Sequence, residues 1–328
     1  MTPPPVTFFL AADDAAIAAW RALQPEREPA RLLRGEDFWI VLTYCRLRDA
    51  GLPVVLDNRV PDTGIVVFYA GDKRAVRAQL RGQRVLLAAV RSDRHPVGFA
   101  DCEIVQNASS ADGGHALHVP HWPQPGLLRR DPARGNAIRT VLFPGTPQNL
   151  DAGFAGNHWK LFLREHAIDL RCSYGAGAAP TQAPNDYGDV DVLLAVRPAA
   201  MGLVRNKPAW KLFNAWLAGV PAILGAESGY RELREGPLDY LEAASPDAAL
   251  QALQQLIAEP SLYEAMIANG FARGAAFTNA ATLARWRALL FDTLATRYAE
   301  QQRDPPSLAT RGRREVMARL RRLWSRTR

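Results

Sequence analysis

Long apolar runs and paired cysteines are missing from this 328-residue sequence, and each absence excludes a class of protein. No stretch reaches the roughly 18 consecutive apolar residues of a membrane-spanning helix. The three cysteines, Cys45, Cys102 and Cys172, are far apart and form no CxxC pair, so neither a disulfide framework nor a zinc site is expected. The first residues lack the basic start and apolar run of a secretory signal, and a reducing cytoplasm is the predicted location.

Nucleotide-binding glycine motifs and metal-ligand spacings are absent as well. The sequence contains no GxGxxG, which argues against a nicotinamide or flavin dinucleotide. It contains no GxxxxGK[ST], which argues against a P-loop NTPase. His115, His118 and His121 have no recognisable metal-ligand spacing, so no metal site is expected.

Excess positive charge is confined to one end of the chain. The formal net charge is +7, and residues 311–328 alone hold eight arginines and one glutamate, so the other residues are neutral overall. No base-reading or stacking module accompanies this tail, and no nucleic-acid partner is expected. Its apolar residues fall largely on one face of a predicted helix, as in helices that lie on anionic lipid; they are Val316, Met317, Leu320, Leu323 and Trp324. A disordered basic tail is the alternative.

Short apolar segments alternate with helical patterns along most of the chain. Strands are predicted at 52–56, 64–69 and 84–90 in the first half, and at 139–143 and 190–196 in the second. Continuous apolar strands that alternate with helices indicate parallel sheets covered by helices on both faces. The predicted fold class is therefore α/β.

A proline-rich break divides this alternation in two. Residues 119–136 contain four prolines and two glycines, which excludes a helix or a central strand there. We predict an N-terminal Rossmann-like domain over 1–130, a C-terminal Rossmann-like domain over 131–303 and a basic amphipathic tail over 304–328. The two Rossmann-like domains are expected to face a central cleft, because such sheets bind ligands at the carboxyl ends of their strands.

The segment 206–240 carries the strongest functional signal. It predicts a lysine-bearing loop, a helix, a turn containing Gly219 and Pro221, and a buried strand. Lys207 and Lys211 lie four residues apart and are expected to share one face. Their ammonium groups suit phosphate oxygens. Two solvated surface lysines are the alternative interpretation.

Further candidates come directly after predicted strands. Glu227 lies in a loop with three glycines, where a carboxylate could accept hydrogen bonds from sugar hydroxyls. Gly145 follows the first strand of the second half, and Arg197 ends a later buried strand from which it could reach a phosphate. Asp93 and His95 follow a strand of the first half, and either could act as a general base. Ordinary polar turns and salt bridges are the alternatives.

Three stretches of the second half resemble a known family. The run KPAWKLFNAWLAGVPAILG, followed by ESGYRE and later by NGFARGAAFT, resembles the C-terminal donor-binding domain of GT-B glycosyltransferases. Members commonly show a lysine element, a helix, a Gly-x-Pro turn into a strand and a loop that reaches the nucleotide-sugar. The resemblance covers residues 139–290 in the order of elements. The first half matches only as a generic Rossmann-like acceptor domain.

The resemblance implies transfer of a sugar from a nucleotide-sugar donor to a glycan or lipid-linked acceptor, as in surface polysaccharide or lipopolysaccharide assembly. The nucleotide-sugar would be a substrate, and neither a cofactor nor a metal is expected. The basic tail would hold the enzyme on the inner face of the membrane. A nucleotide-sugar epimerase of the same fold is one alternative, and a degenerate glycosyltransferase that only binds glycan or protein is another.

The resemblance also implies roles for individual residues. Lys207, Lys211 and Arg197 would neutralise the departing diphosphate, and Asp93 or His95 would be the base if the reaction inverts. Glu227 would hold the sugar or ribose. The other implied donor-binding residues are Gly145, Asn214, Gly225, Ser228, Gly229 and Glu232. Glu227 and Glu232 lie closer together than the paired glutamates of retaining members, and Asn214 stands where some relatives have a ribose-binding glutamate. The stereochemistry therefore stays open.

Overall fold

The chain forms two compact α/β units. The computed structural model describes residues 3–173, 183–198 and 207–326, with the backbone alone for 318–326. The first unit combines the chain up to His121 with the chain from Ala280 onward, and the second unit lies between them. Within the described ranges, every helix is too short or too polar to span a bilayer.

Six parallel strands form the sheet of the first unit, in the order β2-β1-β3-β4-β5-β6. The strands are β1 Val6–Phe9, β2 Val54–Asp57, β3 Thr63–Tyr69, β4 Arg84–Val90, β5 Cys102–Val105 and β6 Ala116–His118. All but the first residue of β3 and of β4 are buried, which explains their uninterrupted apolar sequences.

The helices of the first unit come from both ends of the chain. They are α1 Asp14–Arg21, α2 Leu42–Asp49, α3 Lys73–Gln79, α9 Asn279–Ala288, α10 Leu294–Gln301 and α11 Leu308–Arg326. A π-helical turn, Asp37–Val41, leads into α2, and a second, Leu289–Thr293, joins α9 to α10.

The C-terminal helices pack on the first sheet, which differs from the predicted domain over 131–303. Trp286 of α9 is fully buried, with its ring centroid 6.2 Å from that of Phe8 in β1. The side-chain amide of Gln301, at the end of α10, donates a hydrogen bond to the carbonyl of Val85 in β4 at 2.9 Å. Helical periodicity shows that a helix has an apolar face but not which sheet covers that face. The sequence therefore did not predict that the C-terminal helices pack on the first sheet.

The basic tail begins as a helix attached to the first unit. Arg311 of α11 is only 5% exposed, and its guanidinium donates to the carbonyls of Val85 and Phe99. It also pairs with the Asp101 carboxylate at 2.8 Å. One turn later, Glu315 is buried as well. The start of the tail is therefore an ordered part of the first unit rather than a separate segment.

The second unit begins within the predicted proline-rich segment 119–136 and contains five parallel strands, in the order β11-β10-β9-β7-β8. The strands are β7 Thr140–Phe143, β8 Asp169–Cys172, β9 Val192–Ala195, β10 Ala222–Leu224 and β11 Leu241–Glu242. The helices are α4 Asn157–Glu165, α5 Trp210–Ala218, α6 Ser228–Leu233, α7 Pro246–Ala258 and α8 Pro260–Gly274.

Both faces of the second sheet are covered. Along β9, Val192 and Leu194 belong to one core cluster, whereas Leu193 and Ala195 belong to another. This alternation follows the two-residue period of a strand. Helices α4, α7 and α8 contribute to the first cluster, and α5 contributes to the second, so the prediction of a parallel sheet buried on both faces is confirmed.

A buried ion network stabilises the amino end of β9. The carboxylate of Asp191, which is fully buried, accepts hydrogen bonds from the guanidinium groups of Arg130 and Arg134 at 2.6–3.1 Å. It also accepts the backbone N–H groups of Arg139 and Thr140. Burial raises the pKa of Asp191, but these hydrogen bonds outweigh it, and the net pKa lies below the ordinary value.

The predicted helix, turn and strand of 206–240 are confirmed for the described residues 207–240. Helix α5 ends at Gly219, whose φ of 74° is left-handed and whose N–H bonds back to Ala215 and Trp216. A side chain at this position would lie 2.6 Å from the Phe271 ring. The loop predicted after β10 contains α6, because the Glu227 carbonyl accepts the first helical N–H groups.

Candidate functional site

Three neighbouring strand ends of the second sheet meet the first turn of α5. Strand β9 lies between β7 and β10, so the residues that follow these strands share one edge of the sheet. We call the residues gathered there the strand-end cluster. They are Phe143, Gly145, Arg197, Lys207, Lys211, Gly225 and Glu227.

An ion pair links the ends of β9 and β10. The Nε atom of Arg197 lies 2.9 Å from Oε1 of Glu227, and the two side chains are 17% and 10% exposed. Arg197 is therefore part of a salt bridge, which was the alternative to a phosphate-binding role. The pair holds the Glu227 carboxylate at the edge of the sheet.

Lys211 places an ammonium group in the middle of the cluster. Its Nζ atom lies 4.6 Å from the centroid of the Phe143 ring, in the position of a cation–π contact. Burial, followed by the positive charges of Arg197 and Lys207, lowers the pKa of Lys211 to about 7, although the Glu227 charge acts in the opposite direction. The free protein thus holds this lysine near the point at which it gains or loses its proton.

Lys207 lies before the helix and not on it. Helix α5 begins at Trp210, so the expectation that Lys207 and Lys211 share one helical face is wrong. The charge of Lys207 is nevertheless close enough to lower the pKa of Lys211, and both side chains are half-buried. The two lysines are neighbours through the loop geometry that precedes α5.

Two glycines shape the strand ends differently. A Cβ atom at Gly145 would lie 2.8 Å from the Phe143 ring, over which Lys211 lies. The ring therefore leaves no room for a side chain at this position. At Gly225 a Cβ atom would make an ordinary contact of 3.6 Å with the Ala195 carbonyl, which the Gly225 N–H already bonds at 2.9 Å. Only the first position is closed to larger residues by the chain itself.

The remaining predicted donor-binding residues occupy different places. Ser228, Gly229 and Glu232 all lie on α6, which starts directly after Glu227, and Gly229 is buried whereas the other two are half-buried. Asn214 is only 2% exposed, and its side-chain oxygen accepts the backbone N–H of Gln124 at 3.1 Å. Asn214 therefore supports the segment that opens the second unit.

Asp93 and His95 belong to the first unit. They lie in the exposed turn after β4, as predicted, and that turn contains Ser92 with a φ of 51°. Next to them, the Arg94 guanidinium donates to the Tyr69 hydroxyl at 3.3 Å. The strand-end cluster consists of residues from the second unit alone, so these two candidates are not among its members.

Two residues at this edge were not predicted from the sequence. Phe143 supports Lys211, and an aromatic residue at the end of a strand just before Gly145 was the available signal. Ser173 directly follows β8, its backbone N–H bonds the Phe143 carbonyl at 3.1 Å, and its buried hydroxyl finds no hydrogen-bond partner among the described residues. A serine after a short strand gave no comparable signal.

The chemistry of the cluster suits an anion. Arg197, Lys207 and, when protonated, Lys211 are cations grouped around the carboxylate of Glu227. Such cations can bind a diphosphate, and a carboxylate beside it could accept sugar hydroxyls. In the described part of the chain, no three His, Cys, Asp or Glu side chains are grouped so as to hold a metal ion.

No family model matches the sequence, and no curated protein matches it. Solved structures share its fold. Sucrose-phosphate synthase from Thermosynechococcus elongatus is 13% identical with a TM-score of 0.57, and the match covers 89% of this chain and all of that one. HepE from Anabaena, solved in complex with UDP, is 11% identical with a TM-score of 0.51 over 89% of this chain and 99% of its own. A glycosyltransferase from Rickettsia africae is 8% identical with a TM-score of 0.52 over 90% and 99%.

These similarities show the fold. The chain has the α/β architecture of GT-B glycosyltransferases, with two Rossmann-like units. The predicted fold class is confirmed.

Proposed function

We propose that this chain, which has the GT-B glycosyltransferase fold, transfers a sugar from a nucleotide-sugar donor to an acceptor. The strand-end cluster would be the donor site. HepE, a protein of the same fold, was solved with UDP and glucose, and a UDP-sugar is therefore the first donor to test.

One observation carries the proposal. Lys211 is half-buried and lies over the Phe143 ring. The charges of Arg197 and Lys207 lower the pKa of Lys211, and the Glu227 carboxylate raises it. Like charges held together in a partly desolvated place are unfavourable unless an anion is bound. A diphosphate leaving group has the charge and the size to relieve that repulsion, and stabilising it as it departs accelerates sugar transfer.

The other roles are divided between the two units. Glu227 would accept hydrogen bonds from hydroxyls of the sugar or ribose, with Gly225, Ser228, Gly229 and Glu232 around it. Asp93 or His95 of the first unit would remove the acceptor proton if the reaction inverts, because both are exposed beyond a strand end. A glycan or lipid-linked acceptor of surface polysaccharide assembly is part of the proposal, as is catalysis without a metal ion.

A donor panel tests the proposal. The full-length protein is incubated with UDP-, GDP-, dTDP- and CMP-sugars, and the release of nucleotide is measured with and without candidate acceptors. Slow hydrolysis or transfer with one nucleotide class is the expected result. Isomerisation of the sugar without release would indicate an epimerase, and an absence of nucleotide binding would indicate a degenerate binding protein.

Replacing Glu227 with glutamine should separate binding from turnover. The change keeps the shape of the side chain but removes its negative charge. If Glu227 holds the transferred sugar, UDP should bind as well as before or more tightly; weaker UDP binding would place Glu227 at the ribose. Turnover of the UDP-sugar should fall by about 100-fold if the carboxylate contacts the sugar in the transition state. Calorimetry and a nucleotide-release assay give the two values.

The control for this variant is Glu235→Gln. Glu235 is an exposed glutamate of the loop that also contains Glu227, and it pairs with Arg273 of α8. Both the affinity for UDP and the turnover should stay at the wild-type level. If Glu227→Gln also leaves turnover unchanged, Glu227 does not act on the sugar.

A further inference from the structure

Helix α11 turns an apolar face away from the unit that carries it. Arg311 and Glu315, one turn apart, are buried against the first unit and therefore fix the rotation of the helix about its axis. Val316 and Met317 follow directly and are 56% and 52% exposed. The exposed apolar side chains therefore lie on the side that the attachment leaves in solvent.

The sequence extends this face along the described helical backbone, which continues to Arg326. Successive residues of an α-helix are rotated by roughly 100°, so positions 316, 317, 320, 323 and 324 fall within an arc of about 120° roughly opposite Arg311 and Glu315, and position 313 falls within the same arc. The first five positions are valine, methionine, leucine, leucine and tryptophan in the sequence, and position 313 is arginine. A largely apolar face of this kind, here called the apolar stripe, marks an interaction site.

The charge of the helix selects the kind of partner. Residues 311–328 contain eight arginines and one glutamate, and the single carboxylate of Asp101 is shared by two of the arginines, Arg311 and Arg314. A second copy of the chain would bring the same positive charges together, and a nucleic acid would leave the apolar stripe unused. An anionic lipid surface satisfies both features, because its acyl region takes the apolar side chains and its headgroups take the arginines.

A groove beside α11 brings arginines of the helix close to carboxylates of the first unit. It has a volume of about 980 Å³, and Arg313, Arg314 and Met317 line it from the helix. Of the three carboxylates that line it, Asp101 is paired with Arg311 and Arg314, and Glu103 is paired with Arg91 at 3.3 Å. The third, Asp112, accepts the backbone N–H groups of Gly114 and Ala116. Two of the three acids beside the exposed Arg313 are therefore already paired with arginines.

We propose that the outer face of α11 is a docking surface for anionic phospholipid, which holds the first unit on a membrane. This deepens the proposed function by locating the enzyme, but it rests on α11 alone and not on sugar transfer. Two features contribute to binding, namely burial of the apolar stripe and attraction between arginines and headgroups, so the surface should require both.

Vesicle co-sedimentation of the full-length protein tests the proposal. Vesicles of phosphatidylcholine mixed with phosphatidylglycerol should bind the protein at least about tenfold more tightly than phosphatidylcholine alone, and added salt should weaken that binding. Equal binding to both vesicles, or none to either, would overturn the proposal. Concentration-dependent dimers of the lipid-free protein that mask the stripe would also overturn it, in favour of a second copy.

The double variant Val316→Glu with Met317→Glu tests the apolar stripe itself. Both side chains are exposed, so the protein should fold and melt as the wild type does, while its affinity for anionic vesicles should drop at least about tenfold. Leu161→Glu is the matched control, since Leu161 is 45% exposed on α4 of the second unit. Wild-type vesicle binding by the double variant would refute the assigned surface. UDP binding should be unchanged in all variants, so that a failure here is distinct from a failure of the donor site.

Discussion

Replacing Lys211 with methionine should weaken UDP binding by about 100-fold, or about 2.7 kcal/mol, while making the protein more stable. Methionine keeps the length of the stem over the Phe143 ring but removes the charge that the diphosphate would meet. The free protein simultaneously loses an ammonium group that Arg197 and Lys207 repel. A gain in stability that accompanies a loss of binding is the signature of a side chain kept for function.

The pKa of Lys211 sets the size and the pH range of the stability gain. A pKa lowered from 10.5 to about 7 means that folding disfavours the charged lysine. That penalty is present in full below pH 7 and fades as the pH rises toward 10.5. Because the side chain is only half-buried and the variant also loses the cation–π contact, we expect a net gain of about 1–2 kcal/mol at neutral pH.

UDP binding by the wild type should depend on pH for the same reason. An anion bound beside Lys211 raises the pKa of that lysine, so binding takes up a proton above pH 7. The affinity should therefore fall between pH 7 and pH 9, by at most about tenfold per pH unit, in a range where the terminal phosphate of UDP is already ionised. The charged groups that act on the same lysine are Arg197, Lys207 and Glu227.

Calorimetry from pH 7 to pH 9 and denaturant unfolding measure these effects in Lys211→Met and in the control Lys160→Met, whose lysine is exposed on α4. The control should match the wild type in both. If Lys211→Met binds UDP normally, or if its affinity keeps the wild-type pH dependence, Lys211 is not part of the donor site.

Asp191→Ala should produce the largest loss of stability, about 3–5 kcal/mol. The change leaves the buried guanidinium of Arg130 and that of Arg134 without their carboxylate, and it removes the acceptor of the Arg139 and Thr140 N–H groups. Breaking a buried pair by removing one partner is costly because the other charge remains buried. Asp191→Asn, which keeps an acceptor but loses the charge, should fall between the wild type and the alanine variant.

Asp189→Ala provides the comparison, since Asp189 lies two residues before Asp191, is 44% exposed and pairs with Arg171. Its loss should cost at most about 1 kcal/mol in urea unfolding. The pKa of Asp191 is lowered in the folded protein, so its contribution is present above the unfolded value of about 3.9 and is lost as the pH falls below that. Equal losses for the two alanine variants at neutral pH would show that Asp191 is not the main anchor.

The sequence predicted the type of most elements because burial on both faces of a parallel sheet leaves a continuous apolar run. Strand β4 was predicted at its observed bounds, and Gly219 ended α5 because the cap requires a left-handed residue. The assignment of α9 and α10 to a unit could not be predicted, since it depends on contacts such as Trp286 with Phe8 that join distant parts of the chain.

The candidate site was predicted in its charges but not in its arrangement. Residues directly after parallel strands must share one edge of a sheet, so Arg197 and Glu227 could be anticipated as neighbours. That they pair with each other, and that Phe143 supports Lys211, depends on side-chain directions that spacing does not reveal. Asn214 was predicted to bind the donor because it stands at a position where some GT-B proteins have a ribose-binding glutamate. Its side-chain oxygen instead accepts the backbone N–H of Gln124.

The return of the chain to the first unit has a consequence for synthesis. The carbonyl of Val85, about a quarter of the way along the sequence, accepts hydrogen bonds from the side chains of Gln301 and Arg311. The ribosome adds these two residues near the end of synthesis. Domains generally fold as units while the chain emerges. The second unit is therefore complete while the first still waits for its last three helices. A chain that stops early would release a finished second unit attached to an unfinished first one.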